Sequence, residues 1–170
     1  VLAEFGRFSL DARDDLLGRI ELSLDLEASC KDADFVVEAV PEVAELKKGV
    51  FERIEDACRD DVVIASNTSG LDIFAIEVRR PERFIIAHWY TPPYIIPLVE
   101  VVGSPLTTSG AVELTAGLME IIGKKPIVMK QFTRGFIANK IQNAMTMAVL
   151  ELLLGGLASP QDIDQAVKYS

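Results

Sequence analysis

Histidine, cysteine and tryptophan are nearly missing from this 170-residue chain, which holds one His, two Cys and one Trp. Cys30 and Cys58 form no C-x-x-C and no metal-type spacing, so no metal site is expected. They read as ordinary thiols of a reducing, cytoplasmic compartment. Positive charge is also short, with 17 Lys and Arg against 26 Asp and Glu and a formal net charge of −9. An acidic chain without a basic run argues against nucleic acid and anionic membranes as partners. No membrane-length apolar run occurs either. The longest, Ala144 to Ala158, is interrupted by Glu151 and by Gly155-Gly156. There is no signal-peptide pattern and no initiator Met, and Val1 reads as the middle of a helix. Upstream sequence is therefore expected.

Apolar residues are plentiful, at 49%, enough for one real core and the start of a second domain. From Ile20 to Lys130, short β-branched runs alternate with helical stretches. Strands are expected at Glu21 to Leu24, Phe35 to Val40, Val62 to Ser66, Phe84 to His88, Leu98 to Val102 and Ile127 to Lys130. The runs FVVEAV, VVIAS and FIIA are almost continuously apolar, as in strands buried on both faces. Between them, Leu46, Val50, Ile54 and Ala57 recur at helical spacing after Pro41, with Glu42 and Glu45 in the first turn. A second helix is expected from about Ser109 to Ile122, striped by Val112, Ala116 and Met119 and capped at Gly123. The alternation predicts an α/β, doubly wound Rossmann-type domain with a largely parallel sheet.

After Lys130 the pattern turns helical. Ile137, Ile141, Ala144, Met145, Ala148 and Leu152 mark a long amphipathic helix, and Ser159-Pro160-Gln161-Asp162 reads as the start of another. The expected division is residues 1–130 as a partial dinucleotide-binding domain and 131–170 as the start of an all-α domain.

Candidate chemistry gathers around His88. It ends an apolar strand, and ligands collect at the carboxyl ends of strands in open α/β sheets. A lone histidine is more often structural, so its neighbours decide. Glu100 lies in the apolar run Leu98 to Val102, where a carboxylate is costly unless paired or solvent-facing. The linker Trp89 to Pro97, with three prolines, can turn the chain back and bring Glu100 to His88. Such a carboxylate would fix the imidazole tautomer and stabilise the imidazolium, which suits proton abstraction near neutral pH. Asn67-Thr68-Ser69-Gly70 follows a strand and can cap a helix or face a ligand. Asn139, near the start of the long helix, is unremarkable alone but would face an interdomain cleft.

The stretches ADFVVEAVPE (33–42), SNTSG (66–70), AHWYTPP (87–93), PLVEVV (97–102), GKKPIVMK (123–130), GFIANK (135–140) and ASPQDIDQAVK (158–168) settle the comparison. In order and spacing the chain resembles the L-3-hydroxyacyl-CoA dehydrogenase family, whose relatives include L-gulonate 3-dehydrogenase (lambda-crystallin) and carnitine dehydrogenase. The resemblance covers nearly the whole chain. It implies NAD as cofactor and oxidation of the 3-hydroxyl of an L-3-hydroxyacyl-CoA, or alternatively of a small polar 3-hydroxy acid such as gulonate or carnitine. A structural protein that keeps the fold without catalysis is the third reading. The resemblance implies His88 as general base, Glu100 as its orienting carboxylate, and Ser69 and Asn139 as hydrogen-bond partners of the reacting oxygen. Glu42, Lys47, Ser69 and Thr91 would line the cofactor side. A homodimer through the helical domain is also implied.

Departures from the family pattern concern substrate more than reaction. Thr91 stands for the usual Asn, Arg134 for a Pro, Lys140 for an Arg and Gly70 for a second Ser, while PPYIIPLVE is nearer the gulonate and carnitine branch. No G-x-G-x-x-G occurs, so the first strand-turn-helix is expected upstream of Val1 and the chain alone is expected to bind NAD weakly.

Overall fold

The structure, a computed structural model, describes residues 10–170; the helix expected around Val1 lies outside the described residues. Two short helices, α1 (Leu10–Leu17) and α2 (Leu26–Lys31), precede β1 (Phe35–Glu38), α3 (Ala44–Ala57) and β2 (Val63–Ser66). Short 3-10 turns lead to β3 (Phe84–Trp89) and β4 (Leu98–Gly103), then come α4 (Ser109–Ile121), β5 (Lys125–Met129), α5 (Ala138–Leu154) and α6 (Pro160–Tyr169). No helix among the described residues is long and apolar enough to cross a membrane.

The five strands lie in sequence order in one sheet. All neighbouring pairs are parallel except β3 and β4, which run antiparallel because the proline-containing linker returns the chain directly. The runs VVIAS and FIIA are buried on both faces, as their composition requires, whereas FVVEAV is not: β1 lies at the edge of the described sheet and Val37 is 49% exposed. Ile64, Ile86 and Val102 face Cys30, Phe51 and Ile54 of α2 and α3. Their neighbours Val63, Ala65, Ile85, Ala87, Val99 and Val101 face Ala111 and Met119 of α4. The period-two alternation thus feeds two cores, one on each side of the sheet.

Two expectations need correction. Glu21 to Leu24 is irregular, with Leu22 and Leu24 fully exposed. A strand exists only by pairing, and no described strand runs beside this segment. On α3 the expected stripe is displaced. Leu46 is exposed, and the inward face carries Lys47, Phe51, Ile54 and Glu55. Lys47 turns inward because a carboxylate waits for it. Its Nζ donates to Glu38 Oε1 at 2.8 Å, and both side chains are shut off from solvent.

Helix ends follow their local chemistry. Gly123 leaves α4 with φ 79°, and Ser159 and Asp162 close a capping box on α6. α5 is different. Its N-cap residue, Ile137, supplies no side-chain cap, and the missing partner comes from the sheet.

Candidate active site

His88 sits next to the end of β3, and the antiparallel return places Glu100 of β4 directly opposite it in register. The imidazole Nδ1 is 3.0 Å from Glu100 Oε2, and both side chains are buried. An ionised carboxylate only accepts hydrogen bonds, so Nδ1 carries the hydrogen and the lone pair lies on Nε2.

Glu100 is held on all sides. Its Oε2 also accepts from the Tyr90 hydroxyl at 3.0 Å. Its Oε1 accepts the backbone N–H groups of Ile137 at 2.8 Å and Ala138 at 3.0 Å. The carboxylate is therefore the N-terminal cap that α5 lacks in its own sequence, and it favours the positive end of that helix. The turn before α5 makes this contact possible. Gly135 has φ 79° and Phe136, unusually for a non-glycine residue, φ 48°. That turn drives Phe136 into the core, fully buried, with its ring 4.9 Å from the imidazole.

Burial alone would raise the Glu100 carboxyl, but the His88 hydrogen bond, the Ala138 and Ile137 N–H groups and the Tyr90 hydroxyl outweigh it and hold the group below its usual 4.5. A depressed folded value gives stability that is complete above the unfolded value and lost as pH falls through the folded one. Acidification below about 4.5 is expected to release the start of α5 before the sheet opens. Hydrogen exchange at the Ile137 and Ala138 amides checks this; protection unchanged down to the global acid transition would contradict it.

A second carboxylate organises the loop after β2. Glu42 Oε1 accepts from the Thr68 hydroxyl at 2.5 Å and from the N–H groups of Ser69, Gly70 and Leu71 at 2.9, 3.2 and 3.3 Å. Burial opposes ionisation here too, yet these donors and Lys47 keep the Glu42 carboxyl below its usual value. Behind Glu42, Lys47 Nζ bridges Glu38, the Val40 carbonyl and, at 3.4 Å, Glu42 Oε2. Ser66 Oγ donates to the other Glu38 oxygen at 2.6 Å. Lys47 thus stands behind the loop, not in the open groove. Asn67 ties the loop to β3 by accepting the Trp89 N–H at 2.9 Å.

Ser69 lines an open groove of about 490 Å³, together with Glu42, Gly70, Asp72, Phe132 and Arg134. Asn139 Nδ2 reaches the Ser69 carbonyl at 3.4 Å, linking α5 to this loop. Thr91 is exposed on the linker after β3. His88, Glu100, Ser69 and Asn139 therefore gather where the loops after β2 and β3 meet the start of α5. Reading the sequence missed Tyr90 and Phe136. Tyr90 lies two residues from His88, and the two-residue period of an extended chain was the available signal.

The donor set on this edge fits part of a dinucleotide. The Ser69 and Thr91 hydroxyls and the first turn of α3, which has no side-chain cap, suit a ribose and amide. The glycine-rich turn that would cradle a pyrophosphate is not in this chain.

Comparison with known proteins agrees with this reading of the fold. Residues 1–132 match the family model for the NAD binding domain of 3-hydroxyacyl-CoA dehydrogenase, and residues 135–170 match its C-terminal domain. L-carnitine dehydrogenase of Burkholderia mallei is 39% identical over 85% of this chain and 46% of the relative. That of Streptomyces coelicolor is 38% identical over 88% of this chain and 48% of the relative. The chain spans about half the length of the curated relatives it matches. Among solved structures, (S)-3-hydroxybutyryl-CoA dehydrogenase of Ralstonia eutropha superposes with a TM-score of 0.92 at 30% identity, over 99% of this chain and 59% of that one. With a family model covering residues 1–132 and its companion the rest of the helical segment, the chain belongs to the 3-hydroxyacyl-CoA dehydrogenase family.

Proposed function

We propose that this chain forms the proton-transfer core of an NAD-dependent dehydrogenase that oxidises the 3-hydroxyl of a 3-hydroxyacyl compound to a ketone. The observation that carries this is the buried 3.0 Å contact of His88 Nδ1 with Glu100, which leaves Nε2 as an available base on the ligand edge of the sheet. His88 takes the hydroxyl proton through Nε2, and Glu100 stabilises the imidazolium that results. Ser69 and Asn139 hold the reacting oxygen. Thr91, Ser69 and Glu42 line the cofactor side, with Lys47 fixing Glu42 from behind. NAD, when bound, supplies the hydride acceptor. On this reading residues 1–130 belong to the cofactor domain and 131–170 begin a helical domain, whose exposed Ile141, Met145 and Met147 suit a second copy of the protein.

Two substrate classes fit the reaction. The family's name and the Ralstonia eutropha structure favour an L-3-hydroxyacyl-CoA. Two observations favour a free 3-hydroxy acid. The curated relatives quoted above are carnitine dehydrogenases. Arg134 also lines the Ser69 groove with no ion pair among the described residues, so its guanidinium is free for a carboxylate. The full-length parent protein, assayed with NADH and acetoacetyl-CoA and with NAD and free 3-hydroxy acids, tests both. Turnover of the acids with kcat/KM at least tenfold higher assigns the free-acid class, and the reverse ratio assigns the thioester. No turnover of any 3-hydroxy or 3-oxo compound would sink the proposed reaction and leave a non-catalytic fold.

A further inference from the structure

We propose that Tyr90 is a positioning residue for the His88–Glu100 pair, its hydroxyl sharing one carboxylate oxygen with the imidazole and so setting how tightly His88 holds a proton. The proposal deepens the function proposed above and rests on it only for its kinetic consequence.

The geometry is specific. Tyr90 Oη and His88 Nδ1 both lie 3.0 Å from the same atom, Glu100 Oε2. The Tyr90 ring also packs against the imidazole, with centroids 4.6 Å apart. His88 comes from β3, Tyr90 from the linker after it, and the Ile137 and Ala138 N–H groups from the start of α5. The Asn139 N–H faces the Tyr90 hydroxyl from the same helix start. Among the described residues no other charged side chain pairs with Glu100.

The physical consequence follows from sharing. Each strong donor to a buried carboxylate stabilises the anion and leaves less of its charge for the next donor. When His88 takes a proton, the imidazolium faces a carboxylate oxygen already engaged by a phenol. Tyr90 therefore makes His88 easier to deprotonate than an unshared Glu100 would. The phenol is a dependable donor. Burial first, and then the hydrogen bond to Glu100, push its own ionisation up to about 12, so the hydroxyl keeps its hydrogen at any ordinary working pH.

This chain offers an unusually direct test, because His88 is its only histidine. One imidazole resonance, followed by NMR across pH, reports the pair without any need for turnover. In Tyr90→Phe the ring stays and only the hydroxyl leaves. The titration midpoint of the imidazole is expected to rise by roughly half to one pH unit, part of the strength of a hydrogen bond to a charged group. Incorporating fluorotyrosine at position 90, a more acidic and stronger donor, is expected to lower the midpoint. In a Glu100→Gln background the phenylalanine exchange is expected to move it little. A midpoint unchanged or lowered in Tyr90→Phe overturns the proposal, and so does a rise with fluorotyrosine. In the full-length parent, the acid limb of kcat/KM should move with the midpoint. Full turnover in His88→Ala would instead sink the base assignment and leave the titration result standing, so the two failures are distinguishable.

Discussion

His88→Ala in the full-length parent protein is expected to lower kcat by about two to four orders of magnitude, the usual contribution of a positioned general base. That corresponds to about 3 to 5 kcal/mol of barrier. The fold should survive. Removing the imidazole takes one donor from Glu100, but the carboxylate keeps the Tyr90 hydroxyl and the two α5 N–H groups. Its charge therefore stays compensated, and α5 stays capped. His88→Gln should behave similarly, since an amide can fill the space without the basicity. The contrast between lost turnover and a nearly unchanged unfolding midpoint is the signature to look for. Turnover within threefold of wild type would end the acid/base assignment, whatever the substrate.

The second large effect falls on stability. Lys47→Met is expected to destabilise the chain by about 3–5 kcal/mol, because it leaves the Glu38 carboxylate buried with no cation. The lysine Nζ lies 2.8 Å from Glu38 Oε1, and the two side chains are 1% and 0% exposed. For a domain whose whole stability is about 5–15 kcal/mol, that is a large fraction. The damage should reach the site as well. Glu42 loses the cation at its back and with it part of the hold on the Thr68–Leu71 loop that carries Ser69. Combining Lys47→Met with Glu38→Gln should recover most of the loss, because the charge that needed compensation is gone. Urea unfolding checks both variants. A cost under about 1 kcal/mol for the single change would show that the pair contributes like a surface bridge.

Much of this arrangement was legible in the chain itself, and the parts that were not share a cause. The central strands β2, β3 and β4 announce themselves because β-branched runs such as VVIAS and FIIA have no other good use than a doubly buried sheet, while the edge strands β1 and β5 share that composition but stay partly exposed. The partnership of His88 and Glu100 was readable because each is a polar intrusion in an apolar run, and a proline-rich linker between them can reverse the chain. What a local pattern cannot report is a partner supplied from elsewhere. Glu21 to Leu24 has strand character but no described neighbour to pair with. Lys47 looks like a solvated helix residue until Glu38, nine positions earlier, is seen beneath it. α5 has no cap in its own sequence because the cap is Glu100, on a strand 37 residues away. Tyr90 looks like ordinary linker aromatic material until its hydroxyl is found on that same carboxylate. In each case the deciding term is a long-range polar contact, and such contacts leave no periodic trace.

The central claim is that the imidazole at position 88, backed by the carboxylate at 100, is the group whose deprotonation switches the reaction on. One paired measurement tests it: the NMR titration of the His88 imidazole, assigned by its loss in His88→Gln, set against the pH dependence of kcat/KM for alcohol oxidation in the same full-length protein. The account predicts that the acid limb coincides with the imidazole midpoint and that Glu100→Gln moves both down together, since the imidazolium then loses its counter-charge. A limb that stays in place while the imidazole midpoint moves would contradict it.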